Sequence, residues 1–516
     1  MNKLSPKTDG ASLDIVEQNI AKLKKIFPDA FTEGKIEFDA LREILGDYID
    51  DREERYSFTW NGKSRARQLA QTPSTGTLRP CPEESVNWDT TQDLFFEGDN
   101  LEVLKLLQKS YHKKIKMIYI DPPYNTGNDF VYQDDFRDNM ANYLRLTSQT
   151  DGEGHRLSAN AETSGRYHTN WLNMMYPRLM LARNLLTDDG VIFVSIDENE
   201  TANLRKMCDE VFGEENFLCS IVWEKRFTRS NNAKMFSTLT ENVLCFRKSP
   251  MLETLREPRD EKANSIYSNP DNDPRGPWTS VSYVNPATKE QRPNLVYQIV
   301  NPVTGEYVNH PTNAWKYEKP VHMQHVKENR LYWGVNGTNT YPRLKRFLSE
   351  MDGGMVPVDL WRHQKTGTTD EGSKELEALM GEKIFDFPKP RRLVQRAVRL
   401  ASNGENDIIL DFFAGTCSSA HAVMHQNLSD GGTRRFIMVQ LPEPCDEKSK
   451  AYKAGFKTIA DIGKERIRRV IKNIQAEQAE KAKESKGKLP GMADTISNLD
   501  LGFKVFKLDS SNIKPW

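Results

Sequence analysis

KIKMIYIDPPYNTG (residues 114–127) is an apolar run that stops on an acid, two prolines, an aromatic and an amide. The run from Ile115 to Ile120 reads as a buried strand closed by turn residues. Proline has a fixed φ and no N–H. Pro122 and Pro123 therefore make a stiff loop whose carbonyls can face outward as acceptors. Asp121 adds a further acceptor and Tyr124 a flat face. Together they suit a planar ring that carries an exocyclic amine. Such an amine is a poor nucleophile, because its lone pair is delocalised into the ring. Hydrogen bonds from both its hydrogens to Asp121 and a loop carbonyl favour a pyramidal nitrogen with its lone pair free. The carboxylate then stabilises the charge that develops. Neither a covalent intermediate nor a metal is required. The plainer alternative, that the four residues only close a strand in a rigid turn, is the weaker reading.

The surrounding chain alternates strands and helices, the pattern of a parallel α/β sheet. LFFEGDNLEVLKLLQKSY (94–111) gives a strand, a turn and a helix, and GVIFVSID (190–197) gives a strand ending on Asp197. Between them, after a polar insert at 148–168, WLNMMYPRLMLARNLL (171–186) is an amphipathic helix with Met174, Met175 and Met180 in the core. The alternation fades over residues 225–380, which are polar and irregular. It returns in RRLVQRAVRLASNGENDIILDFFAGTCSSAHAVMHQN (391–427) and RRFIMVQLPEP (434–444). The expectation is an α/β domain split by an insertion, with parts at 92–224 and 381–450 and the insert at 225–380. Residues 1–91 form an N-terminal region, helical over 14–50 and an extended arm over 61–91. Residues 451–516 supply a basic helix over 456–487, broken by SKGKLPG, and a last strand in GFKVFKLD.

A second strand end, DFFAGTC (411–417), also carries chemistry. In open α/β sheets, ligands bind beyond the carboxyl ends of the strands. Asp411 can accept from an amino group or hydroxyl, and the small residues let a ligand approach the backbone. Glu443, ending the next strand, is placed to accept ribose hydroxyls, so a nucleoside fits. A tight turn without a ligand would explain the glycine as well. NGKS (61–64) mimics the end of a phosphate-binding loop, but Ser57 stands where its first glycine is needed.

The totals narrow the class. Lys plus Arg number 72 against 73 Asp plus Glu, so any nucleic-acid surface must be a local patch. The six cysteines are scattered without a C-x-x-C pair, which argues for reduced thiols in a cytoplasmic protein rather than disulfides or a metal site. The N-terminus shows no secretory signal and no run is long enough to span a membrane.

With these motifs in hand, the chain resembles the β-class amino DNA methyltransferases, and most closely the modification (Mod) subunits of type III restriction–modification systems. DPPY comes first, then a variable block, then D-F-F-A-G. The resemblance covers nearly the whole chain, and DPPYNTG beside GDNLEVLK is its most specific part. It implies a Rossmann-like S-adenosylmethionine-dependent methyltransferase sheet, circularly permuted so that the catalytic loop precedes the cofactor motif, with an inserted target recognition domain. It implies methylation of adenine N6 in double-stranded DNA. By resemblance, Asp121, Pro122, Pro123 and Tyr124 form the catalytic loop. Asp99, Asp121, Phe387, Lys389, Asp411, Phe413, Gly415 and Glu443 line the cofactor site, with Pro388 in the same segment as Phe387 and Lys389. A homodimer and a separate restriction (Res) subunit are implied as partners. The chain departs from the family at Cys417, where a second glycine usually stands.

Adenine N6 is hidden in a duplex, so the base must be flipped out and held by stacking, here on Tyr124. His168 and Trp171 could line that pocket or simply pack. Arg226, Arg229, Lys234, Arg275, Arg343 and Arg346 are candidates for DNA contact, or ordinary solvated charges. The run GKERIRRVIKNIQ (463–475) could touch DNA, or pack Ile467, Ile471 and Ile474 inward. The rival readings are an N4-cytosine methyltransferase, whose loop usually begins with Ser, and a catalytically silent DNA-binding scaffold.

Overall fold

The computed structural model describes residues 14–32, 35–45, 57–127, 167–229, 234–351, 353–484 and 499–510. The polar insert at 148–166 and SKGKLPG lie outside the described residues. Two compact units are present, one of residues 1–255 and 358–516, the other Arg256–Pro357.

The first unit is built on a ten-stranded sheet. In chain order its strands are β1 (Gly76–Pro80), β2 (Leu94–Glu97), β3 (Ile115–Ile120), β4 (Leu186–Ile196), β5 (Phe217–Glu224), β6 (Thr240–Arg247), β7 (Leu360–Trp361), β8 (Ile408–Asp411), β9 (Arg435–Gln440) and β10 (Lys504–Ser510). They lie side by side in the order β7-β5-β6-β4-β3-β8-β9-β2-β10-β1. The central run β4-β3-β8-β9-β2 is parallel. Its strands are apolar on both faces because helices cover both, as continuous apolar runs such as IKMIYI and IILD require. β6 enters antiparallel between β4 and β5.

One core layer packs α2 (Asn100–Tyr111), α3 (Tyr167–Leu185) and α4 (Thr201–Phe212) on the sheet. Met174 and Met175 are buried there, and Met180 is partly so. The other layer packs α6 (Arg391–Ala401), α7 (Ser418–Asp430) and α8 (Ile459–Glu484), with Ile467, Ile471 and Ile474 of α8 buried. The apolar stripe of the basic helix therefore faces the core.

Two expectations are corrected. Residues 61–91 are not an extended arm. Gly62, at φ +94°, opens helix α1 (Lys63–Gln71), which buries Ala66, Leu69 and Ala70 and packs on α3, and β1 follows at the sheet edge. Polar composition hid one short apolar stripe. The irregular block is also shorter than 225–380, since β6 lies in the large sheet and only Arg256–Pro357 forms a separate unit. β6 was missed because an antiparallel strand breaks the strand–helix rhythm. The separate unit carries a three-stranded sheet of Leu331–Tyr332, Arg343–Phe347 and Trp278–Ser282 around buried Tyr283, Ile299, Trp315, Trp333 and Leu344. No described helix is long and apolar enough to cross a membrane.

If α8 is a core helix, Ile471→Ala should lower stability by about 2–5 kcal/mol in urea unfolding followed by circular dichroism. Exposed Lys472→Ala should change it by less than about 0.5 kcal/mol.

Candidate active site

β3 and β8 are neighbours in the parallel sheet, with Leu410 beside Ile118. From β3 the chain leaves towards β4, and from β8 towards β9 on the other side. This divergence is a topological switch point, where a crevice opens beyond the strand ends. DPPY and DFFAG extend from these two adjacent ends.

The DPPY loop is held from below. Trp171, fully buried, donates its indole N–H to the carbonyl of Pro123 at 2.7 Å, so it packs rather than lines an open pocket. Asn125, buried at φ +60°, donates to Glu200 at 2.5 Å, and the same carboxylate takes His168 Nδ1 at 2.6 Å. Pro123 thus spends one acceptor position inside the fold.

Above the loop sits a compact charge cluster. The Lys389 ammonium lies 2.9 Å from Asp121 Oδ1, 3.1 Å from Glu241 Oε1 and 2.7 Å from the Tyr124 hydroxyl. It stands 4.9 Å from the centroid of the Tyr124 ring. The Tyr124 hydroxyl is within reach of both Asp121, at 2.7 Å, and Glu241, and has a single proton to give them. Lys225 approaches the other Glu241 oxygen at 3.5 Å. Burial raises the Asp121 carboxyl above its usual range despite the Lys389 charge beside it. Burial would raise Glu241 too, but Lys389, Lys225 and the Tyr124 hydroxyl hold it below. Burial opposes the charge on Lys389, yet Asp121 and Glu241 raise its pKa and keep it protonated. Tyr124, buried between two carboxylates, is pushed well up.

Glu241 was not legible as a site residue. It stands near the start of β6, whereas the two sequence motifs close their strands. β6 runs antiparallel to β4, with Asn242 opposite Ile196, so its beginning lies where the parallel strands finish. Its one trace in the sequence is an acid two residues ahead of the apolar run VLCF, which does not mark a site.

At the second loop, Asp411 is almost fully buried. It accepts from the Phe413 N–H at 3.0 Å and from Ser419 Oγ at 2.5 Å, and burial pushes its pKa up to about 7. Its carboxylate therefore shapes the turn from within. The Gly415 N–H donates to Gln440 Oε1 at 2.6 Å, and a Cβ at Gly415 would meet only the Phe413 carbonyl, at 3.9 Å. Asp99 caps α2 by accepting from the Glu102 N–H at 3.1 Å. Asn100 beside it donates to the Phe412 carbonyl at 2.7 Å, tying the two turns together. Glu443 is half-buried, its pKa raised by burial, and its carboxylate has no hydrogen-bond partner among the described residues. Lys389 joins both loops, since its carbonyl accepts from Ser418 Oγ at 2.8 Å while its ammonium reaches Asp121. Phe387 is exposed at φ +54°, a strained conformation for an aromatic residue and one that collects at functional sites.

Cys417 adopts φ +61°, the conformation that favours glycine, yet its side chain is fully buried. Its sulfur faces Gly463 of α8, where a Cβ would come within 2.8 Å of Sγ and 3.0 Å of the Gly415 carbonyl. The thiol thus points into the helix layer and fills room that Gly463 leaves. Buried Arg466, one turn on, donates to Thr416 Oγ1 at 3.1 Å and to Ser418 Oγ at 2.8 Å, fastening the same turn.

Of the basic candidates, Arg275 is taken by Asp273 at 2.7 Å and Arg343 donates to Ser280 Oγ at 2.9 Å. Arg226, Arg229, Lys234 and Arg346 are exposed. A cavity of about 380 Å³, lined by Ile15, Lys22, Gln108 and Arg183 among others, includes none of the residues read as catalytic or cofactor-binding.

If the thiol and Gly463 fit each other, Gly463→Ala should destabilise the chain by more than about 1 kcal/mol in urea melts. The double variant with Cys417→Gly should recover part of that loss, a coupling of about 0.5–3 kcal/mol.

The "DNA methylase" family model matches residues 115–443. The chain is 32% identical over 506 residues to the Mod subunit of the type III restriction–modification enzyme StyLTI of Salmonella typhimurium, covering 95% of this chain and 73% of that relative. It is 32% identical over 498 residues to the EcoPI Mod subunit of Escherichia phage P1, covering 88% of this chain and 74% of that one. Among solved structures, the PvuII DNA methyltransferase (cytosine-N4-specific) aligns with a TM-score of 0.35 at 12% identity, over 74% of this chain and 94% of that one. With the family model matched over more than half its length and such relatives along nearly all of it, this chain belongs to the DNA methylase family, with the Mod subunits of type III restriction–modification enzymes.

Proposed function

We propose that the chain transfers the methyl group of S-adenosylmethionine to N6 of an adenine flipped out of double-stranded DNA. It acts as the modification subunit of a type III system, as a homodimer that assembles with a separate Res subunit. The observation that carries this reading is the adjacency of two loops on neighbouring parallel strands, one bearing Asp121 and Tyr124 and the other Asp411 and Gly415. An amine held at the first loop would meet a nucleoside-borne donor held at the second.

The residues present fit the cofactor. Glu443 is a half-buried acceptor without a partner among the described residues, suited to ribose hydroxyls, and Gly415 leaves the backbone open to close approach. Asp99 and Phe413 would complete the nucleoside side, on a turn that Asp411 shapes from within, and Phe387 and Lys389 the methionine side. When bound, the cofactor supplies an electrophilic methyl group. The chain's own residues do the rest. Tyr124 would stack against the flipped base. Asp121 would accept one N6 hydrogen and the Pro122 carbonyl the other, since Pro123 already receives the Trp171 N–H. This keeps the nitrogen lone pair free, and the carboxylate stabilises the positive charge that builds on nitrogen. The exposed cations Arg226, Arg229, Lys234 and Arg346 are available for phosphate contact.

Unmethylated phage DNA incubated with the purified chain and S-adenosylmethionine should yield N6-methyladenine by nucleoside mass spectrometry. N4-methylcytosine in its place would overturn the base assignment, and no methylated base with cofactor bound would favour the silent scaffold. Asp121→Ala and Tyr124→Ala should each lower the rate by at least about 100-fold. Cofactor affinity in both should stay within a few-fold of the parent, measured by calorimetry.

A further inference from the structure

One of the two Asp121 oxygens, Oδ1, is already in use. Lys389 Nζ has three hydrogens and three acceptors around it: Asp121 Oδ1 at 2.9 Å, Glu241 Oε1 at 3.1 Å and the Tyr124 oxygen at 2.7 Å. It also stands at the hydroxyl end of the Tyr124 ring, 4.9 Å from the centroid. In this state an ammonium fills the seat of an amino group.

An incoming base that takes Oδ1 displaces Lys389 from it. A largely buried ammonium does not give up a carboxylate unless another holds it, because an unpaired buried charge is strongly disfavoured. Glu241 is that second carboxylate. It is buried, borders the same ammonium, and is anchored through its other oxygen by Lys225. Among the described residues these two carboxylates are the ones within ion-pair distance of Lys389.

We propose that Glu241 is a positioning residue of the transfer site: it retains the Lys389 ammonium when the target amine takes Asp121. The inference rests on the reading of Asp121 as the acceptor for that amine. Without Glu241, Lys389 has Asp121 as its sole counter-ion and competes with the base for it.

The test uses the full chain, unmethylated phage DNA and S-adenosylmethionine with a tritiated methyl group. Glu241→Gln, at saturating DNA and cofactor, should lower kcat at least ten-fold while calorimetric affinity for the cofactor stays within two-fold. The double variant Glu241→Gln with Lys389→Met, compared at a cofactor concentration that calorimetry shows to saturate it because Lys389 also borders the methionine side, should turn over at least five-fold faster than Glu241→Gln, since the competitor is gone. A packing role for Glu241 would show no such rescue. A wild-type kcat for Glu241→Gln, or a double variant no faster than the single, would overturn the proposal. Should Glu241→Gln fail to fold by circular dichroism, the same comparison is read on Glu241→Asp with and without Lys389→Met. N6-methyladenine from the parent chain beside a wild-type Glu241→Gln would remove the role of Glu241 and leave the reading of the site intact.

Discussion

The parallel pairing of β3 with β8 brings the two halves of the site to one sheet edge. Ile115–Ile120 and Ile408–Asp411 are far apart in the chain, yet lie side by side at strand spacing. Their ends therefore project into one crevice, and everything said of catalysis depends on that register. A strand slipped by one residue would turn its side chains to the opposite face. The register is held by burial on both faces, with Met117, Ile118, Ile409 and Leu410 all fully buried.

The crevice concentrates charge that the fold has to neutralise. Asp121 and Glu241 face Lys389, with Lys225 behind, so two carboxylates meet two ammonium groups. Such a cluster adds little net stability, because desolvation offsets most of the attraction. On the proposed reading, its persistence in a well-packed edge is preparation for chemistry, in which a neutral amine replaces a cation at one carboxylate. The same edge holds Asn125, Phe387 and Cys417 at positive φ. Each costs of order 1–3 kcal/mol, a strain the surrounding packing must sustain.

Cys417 shows how a departure from a family pattern can be local. Where a second glycine is expected, the thiol turns away from the crevice and rests against Gly463, while Arg466 secures the neighbouring hydroxyls. Room for a side chain at this position comes from α8 rather than from the turn itself. The glycine missing from the turn has its counterpart on the helix.

The amino-acid sequence by itself determined the chemistry of the loops and the class of the sheet. Proline geometry, a terminal acid and an aromatic are properties of adjacent residues, and apolar runs bounded by turns report strands. The last strand, the inward face of Ile467, Ile471 and Ile474, and the packing of Met174 and Met175 were legible for the same reason, since periodicity is local. Tertiary structure alone decided which residues share the site. Glu241, Glu200, Asn100, Gln440 and Arg466 gave no usable signal, because each acts across strands or layers that only folding brings together. Helix α1 and strand β6 were missed where polar composition or antiparallel entry hid a buried face. Sequence spacing records distance along the chain, whereas a catalytic cluster is set by distance through space, and strand order and direction convert the one into the other.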